Sequence, residues 1–171
     1  MAIDLEKCRE FMIAAHAGQT RSNGKPFNTH PINVMERLRS CGITDEVTLA
    51  TALLHDVVED TTKTEQDIID VAGIEVATAV MMLTNKADGP RSFAVKTVTM
   101  LEHARHYNDV AKRVKLADRY DNLADAVWEW KPEIVKRYAR AGIMLLDIMT
   151  PFPADVGDFA KEARRFFECL V

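Results

Sequence analysis

A chain of 171 residues with 47% hydrophobic and 28% charged residues has the composition of a soluble globular protein. We read residues 1–171 as one domain, large enough to fold without staples. The formal charge of −4 argues against nucleic-acid binding, which usually shows a basic field, and no apolar run reaches the roughly 20 residues needed to cross a bilayer. Cys8, Cys41 and Cys169 are scattered and odd in number, so they read as free thiols in a reducing compartment. The acidic N-terminus lacks a signal-peptide core. These features place the chain in the cytoplasm, with neither nucleic acid nor membrane as a partner.

Apolar spacing is helical nearly throughout. Asp4 caps a first helix carrying Leu5, Cys8, Met12 and Ala15 on one face. Gly18 to Pro26 is a polar loop. A second helix opens near His30-Pro31, where proline suits the first helical position, and closes at Gly42. Thr44 or Asp45 caps a third helix, which runs unbroken through His55-Asp56-Val57-Val58-Glu59-Asp60. A short fourth helix starts at Thr64 and ends near Gly73, and a fifth covers 74–83. The stretch 85–91, with Asp88-Gly89-Pro90, is a loop by turn chemistry. Further helices cover about 92–106, 108–130 and 132 toward 149. Pro151 and Pro153 interrupt before a last amphipathic helix with Phe159, Ala163, Phe166, Phe167 and Leu170. That stripe either covers the core or makes a dimer contact, so a homo-oligomer stays open. The fold class is all-α, an orthogonal helical bundle around the second, third and seventh helices.

The third helix carries the chemistry. An apolar stretch ending at Leu54 leads into His55-Asp56, and Glu59-Asp60 follows one turn later. Burying charge is expensive unless a metal or an opposite charge compensates it. The pattern therefore points to a metal-activated water beside a carboxylate that can move its proton. His55 and Glu59 are four apart, as are Asp56 and Asp60, so each pair shares a helix face. His55 and Asp56 diverge by about 100° in a regular helix and meet one ion only over the edge between their faces. Further ligands must come from elsewhere: His30, at a helix start, and Asp118, four residues before Asn122. The set His30, His55, Asp56 and Asp118 is a mixed nitrogen and oxygen site suited to manganese, iron or zinc. Both imidazoles must be neutral to bind, so activity should fall at acidic pH.

Each piece has a plain alternative. His30 can be a helix cap, and Asp118 can pair with Lys115 or Arg119 on a solvated face. Tyr138 can line a base pocket or pack in the core. Lys86, Arg91 and Lys96 can meet distal phosphates or belong to a solvated loop. The joint spacing is much stronger than any single residue.

The segments Ala14-Ala15-His16-Ala17-Gly18-Gln19-Thr20-Arg21, Gly24-Lys25-Pro26-Phe27 and Thr29-His30-Pro31 resemble the opening signature of Rel/Spo-type alarmone hydrolases. Ala52 to Thr61 is similar to that family's His-Asp segment, and Val114 to Leu123 to its third signature. The likeness spans about residues 5–145, and the short chain looks like the stand-alone small alarmone hydrolases. The resemblance implies an HD-domain helical fold and a manganese(II) site ligated by His30, His55, Asp56 and Asp118. It implies hydrolysis of the 3′-pyrophosphate of guanosine tetra- or pentaphosphate. It gives Glu59 and Asp60 the attacking water and the proton transfers, Asn122 a contact near the scissile phosphate, and Arg21 a place against the base. The chain departs from the pattern at Ser22 (often a cation), Phe27 (often Tyr) and Asp121 (usually neutral). Ser22 and Asp121 favour a runner-up, an HD-type phosphohydrolase acting on another phosphorylated nucleotide such as NADPH. A non-catalytic binding module or a metal-free interaction protein would not need Glu59, Asp60 and Asn122 together.

Overall fold

The computed structural model describes residues 2–85 and 92–171. The loop lysine Lys86 and Arg91 lie outside the described residues. The elements are α1 (Leu5–Ala15), α2 (Thr29–Ser40), α3 (Glu46–Leu54), α4 (Val57–Asp60), α5 (Glu65–Ala72), α6 (Ile74–Leu83), α7 (Phe93–Ala104), α8 (Asp109–Glu129), α9 (Pro132–Met149) and α10 (Gly157–Glu168), with a 3-10 turn at Ala154–Val156 before the last. Among the described residues the only β feature is an isolated bridge between Thr20 and Pro26. No helix among them is long and apolar enough to cross a membrane.

Side-chain caps explain where several helices begin. Asp4 accepts from the amides of Glu6 and Lys7, and Asp45 from those of Val47 and Thr48. Thr64 and Asp67 form a reciprocal capping box at α5. Helix α2 differs from the sequence expectation. It starts at Thr29, so Pro31 occupies the third helical position, where its missing N–H would have had no intrahelical partner anyway.

Helices α2, α3 and α8 pack on one another, with Leu38, Leu53, Leu54, Leu116 and Leu123 fully buried between the layers. Helix α1 lies against α3, α6 against α3 and α8, and α9 against α8. Helix α10 closes the far side: Phe159, Ala163 and Phe167 are buried, so the aromatic stripe covers the core. Gly142 in α9 makes room for it, because a Cβ there would sit 2.9 Å from the Phe167 ring.

The third predicted helix is two helices. It stops at Leu54, and α4 begins at Val57, with Asp56 flattened to φ −96°, ψ −8° between them. The cause is local. The Nδ1 of His55 donates to the Ala52 carbonyl at 2.8 Å, the acceptor that the Asp56 amide would use in an uninterrupted helix. The break re-aims two adjacent side chains that a regular helix would splay apart.

Candidate metal centre

Three pieces of backbone converge at this break. His30 comes from the first turn of α2, His55 and Asp56 from the α3–α4 junction, and Asp118 from the middle of α8. Ligand atoms of His30, His55 and Asp118 all lie within 4.8 Å of one another. The Nε2 of His30 is 3.2 Å from Asp118 Oδ1 and 3.6 Å from Asp56 Oδ2. The Nε2 of His55 is 3.2 Å from Asp56 Oδ2 and 3.8 Å from Asp118 Oδ1. Both Nε2 atoms are buried without an aligned hydrogen-bond partner. Orphaned buried nitrogens are costly and rare. Two of them facing the same two carboxylates fit the donor set of a divalent cation.

The charges agree. Burial alone would raise the Asp118 carboxyl, but Lys115, with Nζ 2.8 Å from Asp118 Oδ2, and the two imidazoles hold it well below the usual carboxylate range. Burial is likewise outweighed at Asp56 by the two imidazoles, and its pKa is lowered. Two carboxylates against one ammonium leave one negative charge for a cation or a proton to neutralise. Burial disfavours the His30 cation, yet Asp118 and Asp121 overcome this and raise it to about 9. Asp118 is thus both the Lys115 partner and part of the cluster, and it is buried rather than solvated. Arg119 turns the other way, donating to the Tyr138 carbonyl at 2.8 Å.

A cleft of about 430 Å³ opens over the cluster. His30, Asp56 and Asp118 line it, together with Glu59, Asp60, Arg21, Asn122 and Tyr138; His55 is buried and does not reach it. His30, Asp56, Asp118, Glu59, Asp60, Arg21, Asn122 and Tyr138 therefore share one opening, with His55 directly behind it. The Glu59 Oε2 accepts from the Asn85 amide at 2.8 Å. The Asp60 carboxyl still touches solvent, but partial burial and the carboxylates of Asp56 and Glu59 push it up to about 6. Lys96 lines an adjoining cavity of about 220 Å³ that shares Glu59, Lys115 and Tyr138 with the cleft. Tyr138 lines the cleft and also packs, with the Arg119 guanidinium 3.3 Å from its ring centroid and Trp130 edge-on at 5.2 Å.

Arg21 sits on a tight loop in which its amide donates to the Lys25 carbonyl at 2.9 Å and Gly24 takes φ +78°, a conformation glycine adopts cheaply. Its Nη1 reaches Asp121 Oδ2 at 3.2 Å, its Nη2 Asn122 Oδ1 at 3.1 Å and its Nε Asp125 Oδ2 at 3.2 Å. The edge of the guanidinium is occupied, and what remains to offer a ligand is a flat face. Asp121 also meets His30 Nδ1 at 2.6 Å, and Asn122 Nδ2 donates to Asp118 Oδ1 at 2.5 Å. The sequence reading missed Asp125, the role of Asp121, and Gln19, which joins His16 Nδ1 at 2.8 Å to the Asp60 carbonyl at 2.9 Å. A signal was present: 118, 121, 122 and 125 follow the i, i+3, i+4, i+7 pattern of one helix face.

The fold and this cluster are those of an HD domain protein. The HD domain family pattern matches residues 8–154, and the chain belongs to that family. Within it, the chain is 35% identical over 144 residues to the guanosine-3′,5′-bis(diphosphate) 3′-pyrophosphohydrolase MESH1 of Danio rerio, covering 74% of this chain and 79% of that protein. The human MESH1 is 33% identical over 153 residues, with 79% and 84% covered. A GTP pyrophosphokinase rsh of Brucella ovis is 35% identical over 123 residues, but the match spans only 16% of its length. Among solved structures, a metazoan ortholog of SpoT that hydrolyzes ppGpp superposes with TM-score 0.86 at 29% identity, covering 100% of this chain and 98% of that one. A Listeria monocytogenes protein matches with TM-score 0.67 at 28% identity, covering 86% and 98%.

Proposed function

We propose that this chain is a divalent-metal-dependent hydrolase of guanosine tetra- and pentaphosphate that releases pyrophosphate from the 3′ position and leaves GDP or GTP. The observation that carries the reading is the meeting of two orphaned imidazole nitrogens and two carboxylates beneath a cleft whose wall holds Glu59 and Asp60. The proteins it matches over most of both chains act on this substrate, which supports the guanosine reading and not NADPH. Asp121, one of the two residues that favoured another nucleotide, directs its charge at Arg21 and His30.

His30, His55, Asp56 and Asp118 would hold the cation, and a mixed set of two imidazoles and two carboxylates accommodates manganese(II). A bound cation supplies Lewis-acid polarisation of a phosphoryl oxygen and a more acidic water. The remaining work falls to the chain. Glu59 and Asp60 take a proton from the water that attacks phosphorus and return one to the departing 3′ oxygen. Both stand on the cleft wall beside the cluster, where a carboxylate can pass a proton between water and the leaving group. Asn122 meets a phosphate oxygen without adding charge, Arg21 offers its face to the purine, and Tyr138 walls the base side of the cleft. We assign the whole chain to one domain in the cytoplasm, with a small nucleotide as its ligand.

The test is a manganese-supplemented assay of the purified protein over guanosine tetraphosphate, guanosine pentaphosphate and NADPH, with phosphate and pyrophosphate read separately. Pyrophosphate released from the guanosine nucleotides is the expected result. Phosphate from NADPH alone, or no metal-dependent turnover, would overturn the assignment.

A further inference from the structure

We infer that Asp121 is a positioning residue that holds the His30 imidazole in the tautomer and orientation needed to ligate a cation, and thereby sets how tightly the cation is held. The inference rests on the metal site proposed above.

The two imidazoles are supported differently. His55 donates through Nδ1 to a neutral group, the Ala52 carbonyl. His30 presents Nδ1 to a carboxylate, Asp121 Oδ2, at 2.6 Å. A hydrogen on Nδ1 leaves the lone pair on Nε2, the buried atom aimed between Asp118 and Asp56. A carboxylate acceptor makes the ring a stronger electron donor than a carbonyl does, and losing such a partner commonly costs metal affinity about 10–100-fold. Asp121 is well placed for this and poorly placed to touch a nucleotide. It does not line the cleft over the cluster; it lines a separate cavity between α2 and α8, beside Asn33, Arg37 and Tyr120. The same Oδ2 also takes Arg21 Nη1 at 3.2 Å, which fixes the carboxylate from a second side. A negative charge one residue from Asn122 is thus turned away from the polyanion and used on a ligand.

The experiment measures Mn²⁺ affinity by calorimetry for the wild-type protein and for Asp121→Ala and Asp121→Asn. The Ala variant should bind about 10–100-fold more weakly. The Asn variant, which keeps an acceptor but not the charge, should fall between. In Zn²⁺-loaded, ¹⁵N-labelled protein, the His30 Nδ1–H signal should be visible in the wild type and lost in Asp121→Ala. Folded Ala and Asn variants that bind Mn²⁺ as tightly as wild type would overturn the inference, as would a His30 Nδ1–H signal unchanged in Asp121→Ala. If Ala does not fold, the Asn variant decides. A wild type that binds no Mn²⁺ would instead bring down the metal site itself.

Discussion

Replacing Lys115 with Met separates the cation from the rest of the cluster. The Lys115 Nζ lies 2.8 Å from Asp118 Oδ2, and the side chains are only 18% and 7% exposed. Coulomb attraction at that distance is about 6 kcal/mol at an effective dielectric near 20. Removing one partner of a buried pair typically costs about 3–5 kcal/mol, because the other charge stays behind. Asn122 and His30 still contact Asp118, so the lower end, about 3 kcal/mol, is expected in metal-free protein. For a chain of this size that is a drop of about 6–12 °C in melting temperature. A divalent cation against Asp118 should restore most of the missing compensation. Thermal melts in EDTA and in saturating Mn²⁺ therefore should differ: a large loss in the first, less than half of it in the second. Equal losses in both would mean that Asp118 does not face the cation, and the charge argument would fail.

Three further outcomes are expected. Asp56→Ala should abolish Mn²⁺ binding and turnover together, checked by metal analysis and pyrophosphate release; full activity in a folded, metal-free variant would refute the ligand assignment. Glu59→Gln should keep its metal while turnover falls about 10²-fold or more, and loss of the metal would make Glu59 a ligand instead. Asp45→Ala should destabilise the protein by about 1 kcal/mol at neutral pH by uncapping the helix that leads to His55. Burial acts to raise the Asp45 carboxyl, but the hydroxyl and amide of Thr48 and the amide of Val47 together outweigh it and lower its pKa. Its stabilisation is therefore complete above the unfolded pKa of about 3.9 and fades as pH falls through the lower folded value. Urea melts at pH 7 and pH 3 should show the mutant penalty shrinking in acid.

Much of the fold was legible because local rules and tertiary packing agree. Asp4, Asp45 and Thr64 cap where their residue types suggest, and α9 runs from Pro132 to Met149 as its flanking residues imply. The residues of the proposed metal site stood out in the sequence through their joint spacing, His30 and Asp118 on either side of the buried stretch that ends in His55-Asp56, and the fold brings them together. The break at His55 was not, because it depends on a side chain taking a backbone acceptor, which periodicity does not record. Nor was the network around Arg21. Residues 21 and 125 are brought together only when α2 and α8 pack, and single-helix spacing shows one half of such a contact. Asp121 illustrates the limit: as a letter it is an unwanted negative charge near a phosphate site, and only its partners reveal otherwise.

Asp118, Asp121, Asn122 and Asp125 ride on a single rigid rod, α8, over about 10 Å of its length. A tilt of that rod cannot loosen the cation while leaving the nucleotide's contacts undisturbed. Ion occupancy and nucleotide affinity should therefore be thermodynamically linked, each tightening the other by the same factor.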